Sequence, residues 1–173
     1  MEKIKQLVVG GGAGSMNLPE TVLRAFNDLF SRQALNSGVI AAATTTTKLK
    51  TTNQITAIIN GNLVVLAAQD GATNIVETGA TTLPTYVLTA TQFGGYVFTV
   101  DSAGLLHALT IGPSANLNSP PTFPTIPINH AVFGLALVNT SSANTFTANT
   151  TALSAANVQL INVVGPFYPN NAF

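Results

Sequence analysis

Apolar and polar positions follow two different periods along this chain. Between residues 17 and 38 the period is that of a helix. Val22, Phe26 and Phe30 fall at i, i+4 and i+8, with Leu23 and Leu29 beside them, in one apolar stripe. Asn17-Leu18-Pro19-Glu20 offers an N-cap, an early-turn proline and an acid close behind. Arg32 falls in the expected last turn, where a cation complements the helix dipole, and Gly38 supplies a stop. From residue 39 onward the period changes to two. The run Ala41 to Thr47 is low in complexity and leads into a strand. Gln54 to Ile59, Asn60-Gly61 and Asn62 to Ala67 read as a hairpin, because Asn-Gly tolerates the positive φ of a type I′ turn. Pro84 to Gln92 places Tyr86, Leu88 and Ala90 on one strand face. Gly95 to Val100, Asp101-Ser102-Ala103-Gly104 and Leu105 to Ile111 predict a second hairpin.

Beyond that hairpin, Pro113, Pro120, Pro121, Pro124 and Pro127 mark a loop that excludes helix and central strand. Ala131 to Val138 is a buried strand, Phe146 marks a short one, and Val158 to Val164 is the last before Gly165-Pro166. Short strands separated by turn signals predict a mainly β protein, an antiparallel β-sandwich or small barrel. The expected organisation is an N-terminal arm over residues 1–38 and an antiparallel β body over residues 39–173. The arm carries the amphipathic helix and a glycine hinge, Gly10-Gly11-Gly12-Ala13-Gly14.

Composition narrows the function classes. Charged residues are 7% of the chain and hydrophobic residues 46%, with 24 Thr and 17 Asn supplying neutral polarity. All six basic residues precede residue 51, and no Asp, Glu, Lys or Arg follows Asp101. A free surface normally keeps charge for solubility, so this uncharged stretch predicts a body that hides part of its surface in an oligomer and keeps the rest hydrated through Thr, Asn and Ser. The net charge of +0 gives no electrostatic footprint for nucleic acid. With no cysteine, disulfides and thiolate metal sites are impossible. The longest apolar run, Ala131 to Val138, is far short of a membrane-spanning helix, and Ile4 to Val9 is too short for a signal-peptide core.

The motifs that would carry chemistry fail on context. Leu7 to Ser15 looks like the opening of a dinucleotide-binding domain, but Ser15 stands where the third glycine belongs, and Pro19 interrupts the helix that should be running. No Gly-x-Ser-x-Gly elbow occurs. His107 in an alternating strand and His130 at the mouth of another read as structural histidines. Asp70 and Asp101 read as turn formers. The sequons at Asn139 and Asn149 are expected by chance in so Asn- and Thr-rich a chain. The reading is of a protein without enzymatic activity, cofactor or metal.

The β body also carries a resemblance. Its residues are Thr56 to Gly61, Val65 to Asp70, Tyr96 to Gly104, Phe123 to Gly134 and Phe146 to Leu153. In this order they resemble the turns and apolar positions of small bacteriophage virion structural proteins, of the capsid cement (decoration) or head-fibre type, over residues 50–164. The chain departs from that pattern in the proline loop, which lacks a basic residue. The resemblance implies a viral structural protein on the capsid surface of the virion, assembled in the host cytoplasm, that decorates or cements the shell without catalysis. Its implied partners are the major capsid protein and further copies of the chain, a trimer above all, with no nucleic acid and no membrane. A tail-fibre or receptor-binding module that recognises a host-surface glycan is the alternative, and a β-fold hydrolase using turn carboxylates is a third. The helix stripe of Val22, Phe26, Leu29 and Phe30 must be buried either on its own β body or on a partner, and in the second case these residues bind the partner, with Arg24 and Arg32 supplying charge.

Overall fold

The computed structural model describes residues 30–69 and 83–167. The protein is mainly β, built from antiparallel sheets of which none closes on itself. Among the described residues eleven strands follow one another: β1 (Arg32–Ser37), β2 (Ile40–Ala42), β3 (Leu49–Thr51), β4 (Ile55–Ile59), β5 (Asn62–Leu66), β6 (Val87–Leu88), β7 (Phe93–Asp101), β8 (Leu106–Ile111), β9 (His130–Asn139), β10 (Phe146–Thr147) and β11 (Val158–Asn162). They form a three-stranded sheet in the order β1-β4-β5, a four-stranded sheet in the order β11-β9-β7-β8, and the two small pairs β2-β3 and β10-β6.

Both expected hairpins are present. β4 and β5 meet at Asn60 (φ 53°) and Gly61 (φ 78°), both left-handed as a type I′ turn requires. β7 and β8 are joined through Asp101, whose Oδ1 accepts from the backbone N–H groups of Ala103 and Leu105 at 2.9 Å each. The carboxylate thus satisfies turn amides that no ladder bond reaches. The segments around Leu88, Phe146 and Val158 are strands as expected, although the first shortens to Val87–Leu88.

One expectation needs correction. Arg32 is not in the last turn of a helix. It opens β1, which pairs with β4 from Arg32↔Ile59 to Ser37↔Ile55 and lies against β9. Among the described residues only Phe30 and Ser31 are helical, and the rest of the expected amphipathic helix lies outside the described residues. Gly38 does end an element, but that element is β1. Tertiary pairing overrides the helical spacing here: Ala34 is fully buried, and the backbone of β1 finds its partners on β4. The β structure therefore begins within the span read as the arm.

Two apolar clusters hold the sheets. The larger joins Ala34, Ile55, Ala57 and Ile59 of the three-stranded sheet to Tyr96, Phe98, Val100, Phe133 and Val138 of the four-stranded one. Phe98 stacks between Tyr96 and Phe133, with ring centroids 6.2 Å away on each side. The smaller cluster, Val97, Ile111, Ile126, Val132 and Leu135, covers the opposite face of the four-stranded sheet beneath the proline loop. β7 and β9 are therefore buried on both faces, which is why Phe93 to Phe98 and Ala131 to Val138 run apolar without alternating. Asn162 Oδ1, on β11, ties the layers together by accepting from Ser37 Oγ at 3.0 Å and from the Ile40 N–H at 2.8 Å.

Candidate functional sites

Two regions stand out chemically among the described residues. The first is the outer face of the three-stranded sheet. Leu63 and Val65 lie two apart on β5 and pair with Ile58 and Thr56 of β4, so all four project to one side. That side carries no core: Leu63 is 64% exposed and Val65 is 54% exposed. Among the described residues no strand pairs with the far side of β5, so an apolar face and an open ladder edge occur together.

Of the residues expected to bind a partner, Val22, Arg24, Phe26 and Leu29 lie outside the described residues. Phe30 is described and is 51% exposed. Arg32 is buried, and its guanidinium donates to the Pro127 carbonyl oxygen at 3.1 Å, binding β1 to the loop that precedes β9.

The second region is a cluster that the sequence reading left dispersed. In the ladders of the four-stranded sheet, Thr99 pairs with His107 and Asp101 pairs with His130. Thr99 and Asp101 are two apart on the same strand, so all four side chains share one face, at the end of the sheet beyond the smaller apolar cluster. Asp101 Oδ2 lies 2.9 Å from His107 Nε2, and Thr99 Oγ1 lies 2.8 Å from His130 Nδ1. The two imidazole centroids are 4.5 Å apart. One ligand atom each from Asp101, His107 and His130 falls within 4.8 Å of the others. Each histidine is hydrogen-bonded within the cluster. Asp101 is the turn former it was read to be, and it also orients His107.

The electrostatics follow from this packing. Burial pushes the His130 imidazolium down to about 4, with His107 adding to the shift and Asp101 opposing it. Burial works against ionisation of Asp101, but hydrogen bonds from His107 and from the Leu105 and Ala103 N–H groups outweigh it and hold the carboxyl below its ordinary value.

Both shifts make acid destabilising. Between pH 6.5 and about 4 the unfolded chain takes up a proton on His130 that the folded chain refuses, so stability falls as pH falls. The whole interval is worth about 3 kcal/mol. Asp101 acts in the same direction at lower pH, because its folded carboxyl resists protonation more than its unfolded one. Urea unfolding in chelator-treated buffer is expected to show a midpoint that drops between pH 7 and pH 4, and His130→Gln is expected to flatten that drop. A wild-type midpoint that stays constant over this interval would contradict the assignment.

Two clefts flank the same sheet. One, beside the proline loop, is lined mainly by Phe93, Leu117, Pro121, Phe123 and Leu137 and is apolar. The other gathers Asn139, Ser141, Asn144, Asn157 and Gln159 around Phe93. The Nδ2 of Asn157 in that cleft is buried and makes no hydrogen bond.

No protein-family model, no curated protein and no solved structure matches the chain.

Proposed function

We propose that the protein is a structural component of a bacteriophage particle that decorates or cements the capsid surface, working as a homo-oligomer, a trimer above all, with a β-sandwich body. The observation that carries this reading is the exposed apolar face of β4 and β5 beside the open edge of β5. Among the described residues nothing covers either, and association with further copies would cover both. The uncharged chain after Asp101 points the same way, as does the resemblance of residues 50–164 to lattice-capping proteins. Phe30 and the basic N-terminal segment are the proposed contact to the major capsid protein.

The assembly half of this reading has a direct test. The full chain is expected to sediment as a trimer at micromolar concentration. The double substitution Leu63→Lys and Val65→Lys places two charges on the proposed interface, and it is expected to give a folded monomer with an unchanged circular dichroism spectrum. A wild-type chain that sediments as a monomer would refute assembly through this face. The functional half predicts that the chain co-migrates with gradient-purified particles from producing cells, found there by mass spectrometry.

One observation favours a second reading. The exposed amides and hydroxyl of Asn139, Ser141, Asn144 and Gln159 around Phe93 are the kind of surface that meets sugar hydroxyls and a sugar ring face. A receptor-binding module that recognises a host glycan would use this cleft. It predicts saturable binding on a glycan array, lost in Asn144→Ala.

A further inference from the structure

We propose that Asp101, His107 and His130 form a binding site for a divalent transition cation of the zinc class. The inference is independent of the particle role and stands on the side-chain cluster alone.

The donor set selects the class. Two imidazoles and one carboxylate suit zinc and its neighbours, whereas calcium and magnesium require a shell of oxygens. Asp101 is the only carboxylate among the described residues, so an all-oxygen site cannot form around it from described carboxylates. The spacing is close to what a cation needs. Ligand bonds of about 2.0–2.2 Å set tetrahedral ligand atoms about 3.3 Å apart. Asp101 and His107 already stand 2.9 Å from each other, and the whole set lies within 4.8 Å. A rotation of the partly exposed His107 imidazole on β8, an outer strand of its sheet, closes the remainder.

The supporting groups are also in place. A ligating carboxylate is normally anchored through its second oxygen, and a ligating imidazole through its second nitrogen. Oδ1 of Asp101 is held by the Ala103 and Leu105 N–H groups, and Oδ2, which accepts from His107 Nε2, would turn to the cation as His107 takes the tautomer protonated on Nδ1 and frees Nε2. Nδ1 of His130 is engaged with the fully buried Thr99 hydroxyl, which leaves Nε2. With Nε2 on the cation, Nδ1 carries the proton and donates to Thr99 Oγ1. Three protein ligands leave a fourth tetrahedral position for water. The ligands come one each from β7, β8 and β9, so the ion would clip three strands together at one end of the sheet.

The test uses tag-free full-length chain, stripped with EDTA and dialysed, and titrated calorimetrically with zinc chloride. His107 and His130 are the only histidines of the chain and cysteine is absent, so imidazole-bound zinc has no other place to go. Saturable uptake of one ion per chain is expected, with a higher melting temperature in zinc than in chelator. Magnesium chloride is expected to produce neither effect. His107→Gln keeps an amide donor for Asp101 and is expected to fold in chelator like wild type while binding zinc at least about tenfold more weakly. Absence of saturable uptake by wild type would overturn the proposal, as would equal zinc affinity in wild type and His107→Gln.

Discussion

Replacing Gly95 by alanine is expected to abolish the native fold. Gly95 lies in β7 with φ +134°, and a Cβ there would stand 1.8 Å from the carbonyl oxygen of Ala136 and 2.9 Å from its carbonyl carbon. The obstructing atoms are backbone, and they belong to β9, the central partner of β7 in the four-stranded sheet. A flexible side chain could turn aside, but here a strand must move, and the sheet is packed on both faces. The left-handed φ adds a penalty that alanine meets regardless of space. Together these place the loss at about 4 kcal/mol or more, within the range where a small domain ceases to be folded. Gly61→Ala is the informative contrast. Gly61 also has a positive φ, but nothing lies within 4 Å of an added Cβ, so only the backbone penalty of about 1 kcal/mol remains. Chemical denaturation of the two variants separates the terms. Equal stabilities would show that the approach of β7 to β9 is not the constraint.

The second large effect is expected at Phe98. Its ring is fully buried, stacked between Tyr96 and Phe133, at the junction of the two larger sheets. Phe98→Ala removes that ring and leaves a cavity that surrounding strands cannot collapse into, at a cost of about 3–5 kcal/mol. Phe98→Leu restores most of the volume and is expected to recover much of the loss, short of the aromatic contacts, which add about 0.5–1.5 kcal/mol per pair. Denaturant midpoints for the two variants measure both. If Phe98→Ala lost less than about 1 kcal/mol, the cluster that joins the sheets would not be the core of the protein.

The sequence is most legible where structure is local. The Asn60-Gly61 and Asp101–Gly104 turns specify their hairpins within a few residues, and alternation fixes which face of β4 is buried. The failure at β1 has the opposite cause. Arg32 to Ser37 directly follows the stripe of Val22, Phe26 and Phe30 with no turn signal before Gly38, and only β4, about twenty residues on, makes it a strand. The Asp101, His107 and His130 cluster was half legible. The hairpin register alone sets His107 opposite Thr99, two residues from Asp101. His130 could not be placed in that way. It arrives across the proline loop, and the register between β7 and β9 shifts by one residue between Phe98 and Thr99. Without that shift, Asp101 would face Ala131 and His130 would project from the other side of the sheet. A bulge in a nonlocal pair is thus what assembles the cluster, and no pattern along the chain announces it.

The central claim, that the chain is a structural protein of a capsid surface, is tested most directly by labelling. Intact particles from producing cells, bound with antibody against the full chain and a gold conjugate, are imaged in negative stain. Gold distributed over the shell is the predicted result. Gold confined to a tail or fibre tip, or particles that carry none, would contradict it.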